Sequence, residues 1–263
     1  MKVTVGAGTG VEWLVAAMAV ADRDWRPVFT HGQAAYDAAL AAGGRPLVRD
    51  LARGGRSGWI RLLGPLTRRR GAWSVAALRS LLAGDPDRLR VLDLLPPPAT
   101  RAPELTRIRA RLREVGPEQL VAEVAPGIHY APGVLDDVVL VTSRQVAPII
   151  VEHADGERTV IVHPPLGEGG ATDAGARLRD LGRALGDVTR MRVLQQLRGG
   201  QRALPDLCEA LDTPRTTLLH HLAMLRAAGL VDLTVAPGEP NVYRLRDEGF
   251  EELSANARAF LLR

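Results

Sequence analysis

The stretch that most restricts how this chain can fold is ALPDLCEALDTPRTTLLHHLAMLRAAGLVD, residues 203–232. Pro205 suits the first turn of a short helix over 204–211, and the polar LDTP segment then interrupts the chain. A longer helix is expected over 214–228, with Thr213 as N-cap and Pro214 as the first helical residue. At about 100° per residue, Leu218, Leu222 and Leu225 fall on one stripe, which must be the core face. Thr216, His220 and Ala223 lie opposite, flanked by Thr217, Leu219 and Met224, and Arg215 sits in the first turn. Helices over 174–186 and 187–198 precede this pair; strands over 230–236 and 241–246 follow it, and a helix over 247–262 closes the segment.

Two helices joined by a short turn, with a two-stranded ribbon behind them, are the order of a winged helix-turn-helix. The outward face of 214–228 is small and polar, and no acidic residue occurs between Thr213 and Val231. A helix entering a major groove about 12 Å wide needs such a face. Arg215 can reach a guanine edge or a phosphate, Thr216 and Thr217 either kind of target, and His220 a base edge or the backbone. The helix alone would equally suit an ordinary amphipathic surface element; the order of its neighbours favours the DNA reading. The ribbon tip, PGEP, lacks the basic residues that grip phosphate, which leaves Arg244 as the ribbon's candidate contact.

Residues LGRALGDVTRMRVLQQLRGG, PDLCEALDTPRTTLLHHLAMLRAAGLV and NVYRL resemble the winged-helix domain of the ArsR/SmtB family of bacterial repressors, over about 175 to 262. The family's ALGDPTRLRIL appears as ALGDVTRMRVL, and its STVSHHLxxLRxAGLV as TTLLHHLAMLRAAGLV. The resemblance implies a homodimeric repressor that binds a double-stranded DNA operator. It places Arg215, Thr216, Thr217, His220 and His221 at recognition-helix positions, with Leu219 where the family usually has serine. Many members sense metal ions, but the cysteine box is absent here. Ala203 and Pro205 occupy its positions, Cys208 stands where alanine is usual and is expected to be a buried small residue, and DEGFEELSANARAFLLR contains no histidine. Soft divalent ions require thiolate or imidazole clusters, so neither a metal nor another cofactor is expected. Dimer contacts are expected from the flanking helices through Leu178, Leu181, Leu185, Phe250, Leu253, Phe260 and Leu261.

The 263 residues allow two domains, and the aperiodic PPLGEGGATD at 164–173 reads as the linker between them. The expected division is 1–165, a regulatory or assembly domain, and 172–263, the winged helix. In the first, apolar residues recur at helical spacing in 11–21, 32–42, 45–53, 73–83, 86–95, 102–115 and 117–125, with Thr30 and Ser74 as N-caps, and PPPATRAP at 96–103 forms a break. VVLVTS, APIIVEH and RTVIVH then read as a small antiparallel sheet whose ADGE turn sets His153 opposite Arg158 and His163 opposite Pro148, about 16 Å apart and too far to share an ion. The fold class is therefore α+β: a mainly helical N-terminal domain with a small antiparallel sheet, then a C-terminal winged helix-turn-helix.

Two features bear on function in the first half. VGAGTG places glycines between a strand and a helix, as dinucleotide folds do, but the third comes one residue early and no acid follows at the ribose position. It reads as the lead-in to the first helix. Residues 45–113 hold 16 arginines against 5 acids, while 114–171 hold 2 basic and 9 acidic residues. The basic segment suits an anionic partner such as DNA, or docking on the acidic segment. No apolar run reaches membrane-spanning length, the start lacks a signal-peptide pattern and the lone cysteine fits a reducing compartment, so a cytoplasmic protein without membrane contact is expected. No nucleophile, base and orienting group stand at motif spacing, so no enzyme is expected. An unknown small-molecule effector remains open, as does a ligand-binding or enzymatic N-terminal half whose winged helix serves only dimerisation.

Overall fold

Glycines break the helices of the first half. In the computed structural model, which describes every residue except 30, 70–72, 96–102, 157, 167–173 and 262–263, strand β1 (Lys2–Gly6) leads into α1 (Thr9–Ala21) and then α2 (Gly32–Ile60). Helix α2 is interrupted at Gly44 (φ 64°) and Gly55 (φ 59°), left-handed positions where glycine carries no steric cost. Helices α3 (Leu63–Arg68), α4 (Val75–Leu81), α5 (Pro86–Leu94) and α6 (Pro103–Val124) follow. The break at Gly116 in α6 falls between the two expected helices. Strands β2 (Ile128–Tyr130), β3 (Asp137–Thr142), β4 (Val151–Asp155) and β5 (Arg158–His163) come next. The chain ends in α7 (Ala174–Leu185), α8 (Val188–Leu197), β6 (Arg202–Ala203), α9 (Leu204–Leu211), α10 (Arg215–Ala227), β7 (Val231–Val235), β8 (Val242–Leu245) and α11 (Asp247–Leu261). Ser74 caps α4 as expected, its hydroxyl accepting from the Ala77 N–H. Thr30, most of PPPATRAP and most of the expected linker lie outside the described residues.

The fold is α+β, but the N-terminal sheet is mixed. Its order is β1-β3-β5-β4, with β1, β3 and β5 parallel and only β4 antiparallel, to β5. The strands' own patterns account for this. β3 and β5 are nearly continuous buried runs, as central parallel strands are, whereas β4 alternates half-buried and exposed and lies at the edge. Val151 pairs with Val162 and His153 with Val160, so the expected partners of His153 and His163 are corrected: residues 147–150 lie outside the strand.

Two compact units emerge, Met1–Val121 with Asp136–Leu166, and Ala122–Leu135 with Gly167–Arg263. The C-terminal unit thus includes a segment from the middle of the chain, because β2 pairs in parallel with β7. The expected single cut near 164–173 did not anticipate this excursion.

In the N-terminal unit α1 is buried on every side from Gly10 to Val20. The glycines of the VGAGTG turn make room for the chain itself. A Cβ on Gly6 would fall 2.2 Å from the Trp73 ring, one on Gly8 2.1 Å from the Trp73 carbonyl oxygen and one on Gly10 2.6 Å from that of Ser74. The Gly10 N–H donates to the Trp73 carbonyl at 2.9 Å, and Thr9 Oγ1 accepts from the Val75 N–H at 3.1 Å. The space a pyrophosphate would need at this turn is filled by residues 73–75.

Candidate nucleic-acid interface

The reading unit is assembled by three local devices. The first is the turn between α9 and α10. Asp212 ends α9 in the left-handed region at φ 47°, and the Thr213 N–H returns to the Cys208 carbonyl at 3.1 Å. A residue before proline is held out of the helical region, and Pro214 itself is extended at ψ 141°, so the helix starts one residue later than expected, at Arg215. Thr213 is not the cap: its hydroxyl donates back to the Leu211 carbonyl at 3.0 Å, and Pro214 takes the N-cap position without a side-chain bond.

The second device is the α7–α8 corner, built by the GDVTR sequence. Asp187 caps α8, its Oδ1 accepting the Arg190 N–H at 3.0 Å. Arg190 reaches back so that Nε donates to the Ala184 carbonyl at 2.7 Å and Nη2 to the Arg183 carbonyl, satisfying the end of α7. His221, from α10, closes the corner with Nδ1 3.7 Å from Asp187 Oδ1 and 3.5 Å from Arg190 Nη1. Burial tends to raise the Asp187 pKa, but the Arg190 N–H, the Arg190 guanidinium and His221 outweigh it and hold the carboxyl below its ordinary value. Burial lowers the pKa of His221, and Arg190 adds to this against the pull of Asp187.

The third device is the sheet β2-β7-β8-β6. Leu233 and Tyr243 pair across the ribbon and are buried, while Asp232 and Arg244 pair on the other face. Arg244 Nη2 donates to Asp232 Oδ2 at 3.0 Å, and His129 Nε2 of β2 lies 3.5 Å from the same oxygen. The Asp232 side chain is 9% exposed, that of Arg244 63% and that of His129 60%. Sequence reading missed His129, since a three-residue strand more than a hundred positions upstream leaves no local signal.

On α10, Leu218, Leu222 and Leu225 are fully buried. Arg215 and Thr216 are exposed, and Thr217, Leu219, His220 and Ala223 are half-buried. Met224, expected at the margin of the outward face, is buried. The structure therefore gathers Thr216 and His220, flanked by Thr217, on one side of α10 with Arg215 exposed at its first turn, and the His220 and His221 rings lie in edge contact at 5.4 Å. His221, only 12% exposed, turns toward Asp187 and buttresses the helix from behind. Cys208 is half-buried, not fully so as expected. Among the described residues no group of three or more His, Cys, Asp or Glu could hold a metal ion, and no helix is long and apolar enough to cross a membrane.

Comparison with known proteins matches residues 185–234 to a family described as a helix-turn-helix domain. Among solved structures, an ArsR-like transcriptional regulator from Rhodococcus sp. RHA1 is similar at 27% identity, over 32% of this chain and 78% of that one, with a TM-score of 0.29. HlyU from Vibrio cholerae N16961 is similar at 23% identity, over 34% of this chain and 97% of that one, with a TM-score of 0.28. No curated protein matches the chain. Residues 185–234 are a helix-turn-helix domain, and with the ribbon behind them they make the winged form that the ArsR/SmtB resemblance implies.

Proposed function

We propose that this protein is a DNA-binding transcriptional regulator, a repressor that acts as a homodimer on a palindromic operator. The observation that carries the reading is the acid-free outward face of α10, where Thr216 and His220 stand opposite the buried Leu218, Leu222 and Leu225, flanked by Thr217, with Arg215 exposed in the first turn. A groove-reading helix needs that division: a leucine stripe anchoring it and short polar side chains facing the base edges. Arg215 serves guanine or phosphate and His220 a base edge, while His221 is a positioning residue that sets the helix against the α7–α8 corner. Arg244 is committed in part to Asp232, so its phosphate contact is secondary.

Dimerisation is assigned to α7 and α11, which pack on one another. Phe250 and Phe260 remain 36% and 52% exposed on α11, whereas Leu181 is buried. A two-fold dimer would set the two α10 helices about 34 Å apart, one turn of DNA. Residues 1–166, without the 122–135 excursion, form the regulatory part, and a DNA-reading role places the protein in the cytoplasm.

The test is selection of bound duplexes from a random pool by the full chain, followed by gel-shift titration of the enriched sequence. A palindromic consensus, bound by a species of dimer mass in light scattering and weakened by His220→Ala, is the expected result. An absence of enrichment, or equal binding by wild type and a His220→Ala, Thr216→Ala double variant, would overturn the reading.

A further inference from the structure

Helices α2 and α5 of the N-terminal unit enclose a cleft of about 380 Å³, lined by Arg49, Arg53, Arg88 and Arg90 with Asp50, Asp85 and Asp87 around Trp59 and Val91. We propose that this cleft binds a small anion, a carboxylate or a phosphate. This goes beyond the DNA-binding reading and is independent of it.

Trp59 and Val91, fully and almost fully buried, back the cleft without offering a ligand much surface, so its accessible lining is polar, with Arg49, Arg53 and Arg90 exposed and Arg88 half-buried. The Trp59 ring is held in the core behind the cleft: Nε1 donates to the Leu51 carbonyl at 3.0 Å, and the ring meets Trp13 edge-on at 5.4 Å between centroids. Gly54 allows it, since a Cβ there would fall 2.7 Å from the indole. The α2 wall is the segment between the two left-handed glycines, Gly44 and Gly55, which carries Arg49, Asp50 and Arg53 together.

Charge then separates the arginines into two pairs. Arg53 is held by Asp50 at 3.0 Å, and Arg88 lies 3.5 Å from Asp85 and over the Trp59 ring at 5.1 Å. Arg49, from α2, and Arg90, from α5, have no carboxylate within ion-pairing distance among the described residues. Four arginines against Asp50, Asp85 and Asp87 leave the cleft a net charge of +1, Asp87 offsetting one of the two uncommitted guanidiniums, and guanidinium recognises both carboxylate and phosphate by paired N–H donors. The arginine-rich 45–113 segment thus has a use distinct from contact with DNA. Many of its other cations are already occupied: Arg56 by Asp22, Arg68 by Asp155, Arg79 by Asp93 and Arg111 by Glu114.

The test uses the full chain and two probes, benzoate and phenyl phosphate, titrated by calorimetry and by ligand-observed NMR. The wild type is expected to bind at least one of them saturably, the tighter probe identifying the head group. The Arg49→Gln, Arg90→Gln double variant should lose about tenfold or more in affinity. Arg109→Gln with Arg113→Gln, an equal charge change on exposed positions of α6, should leave binding unchanged, and circular dichroism of both variants checks that each is folded. Failure of both probes to saturate in the millimolar range, or equal loss in the two double variants, would overturn the proposal.

Discussion

At the scale of single residues, the reading helix shows a division of labour between its two histidines. His220 stands on the outward side of α10, whereas His221 is spent on Asp187. His220→Ala is therefore expected to cost specific binding about 1–3 kcal/mol with no loss of thermal stability, measured by titration and by melting of the same sample. Arg215→Ala should weaken binding on all sequences if Arg215 meets phosphate, and lower the slope of log affinity against log salt by about one. Asp187→Ala should act in the opposite way. It removes the cap of α8 and the partner of both Arg190 and His221, so stability should fall by about 1–2 kcal/mol before any DNA is added. A denaturant titration that shows no change would mean that the corner is held by packing alone.

At the scale of elements, the segments with local signals were legible in the sequence. The leucine stripe of α10, the α8 and α9 boundaries and the glycine interruptions at Gly44 and Gly116 follow from periodicity and from residues that break it. What escaped was pairing between distant segments. Nothing in VVLVT states that Lys2–Gly6 will lie beside it in parallel, or that Ile128–Tyr130 will join the ribbon. The buried Glu12 escaped for the same reason: in sequence it is a first-turn acid, and only the fold brings the Ser143 hydroxyl within 2.7 Å of its Oε2 and the Arg144 N–H within 3.4 Å of its Oε1. In the candidate site, the outward face was legible from α10 alone, while the inward turn of His221 and the addition of His129 depended on α8 and β2. The glycine turn offers a direct check on this level. Gly8→Ala would press its Cβ onto the Trp73 carbonyl, and calorimetry should show the N-terminal unit destabilised by about 1–3 kcal/mol.

At the scale of the whole molecule, acid should be the more dangerous direction. His163 is fully buried, its Nδ1–H donating to the Pro164 carbonyl at 2.7 Å, and burial lowers its pKa from an ordinary 6.5 to about 4. The unfolded chain takes up that proton first, so the stability contributed by the neutral ring is complete above about pH 6.5 and lost as pH falls toward 4, about 3 kcal/mol in all. The lowered values of Asp187 and His221 act with the same sign, while the Asp180 carboxyl, raised by burial against the pull of Arg183 and Arg179, opposes them. Melting curves of wild type and His163→Gln across that range should converge toward acid; parallel curves would show that His163 titrates normally. The parallel pairing of β2 with β7 has a consequence for synthesis on the ribosome. Ile128 meets Leu233 about a hundred residues later in the chain, so at about 5–20 residues per second the nascent strand waits roughly 5–20 s for its partner. The wing is the last sheet to be completed, and a nascent chain stalled before residue 231 presents an open β2 to any neighbour on the same message.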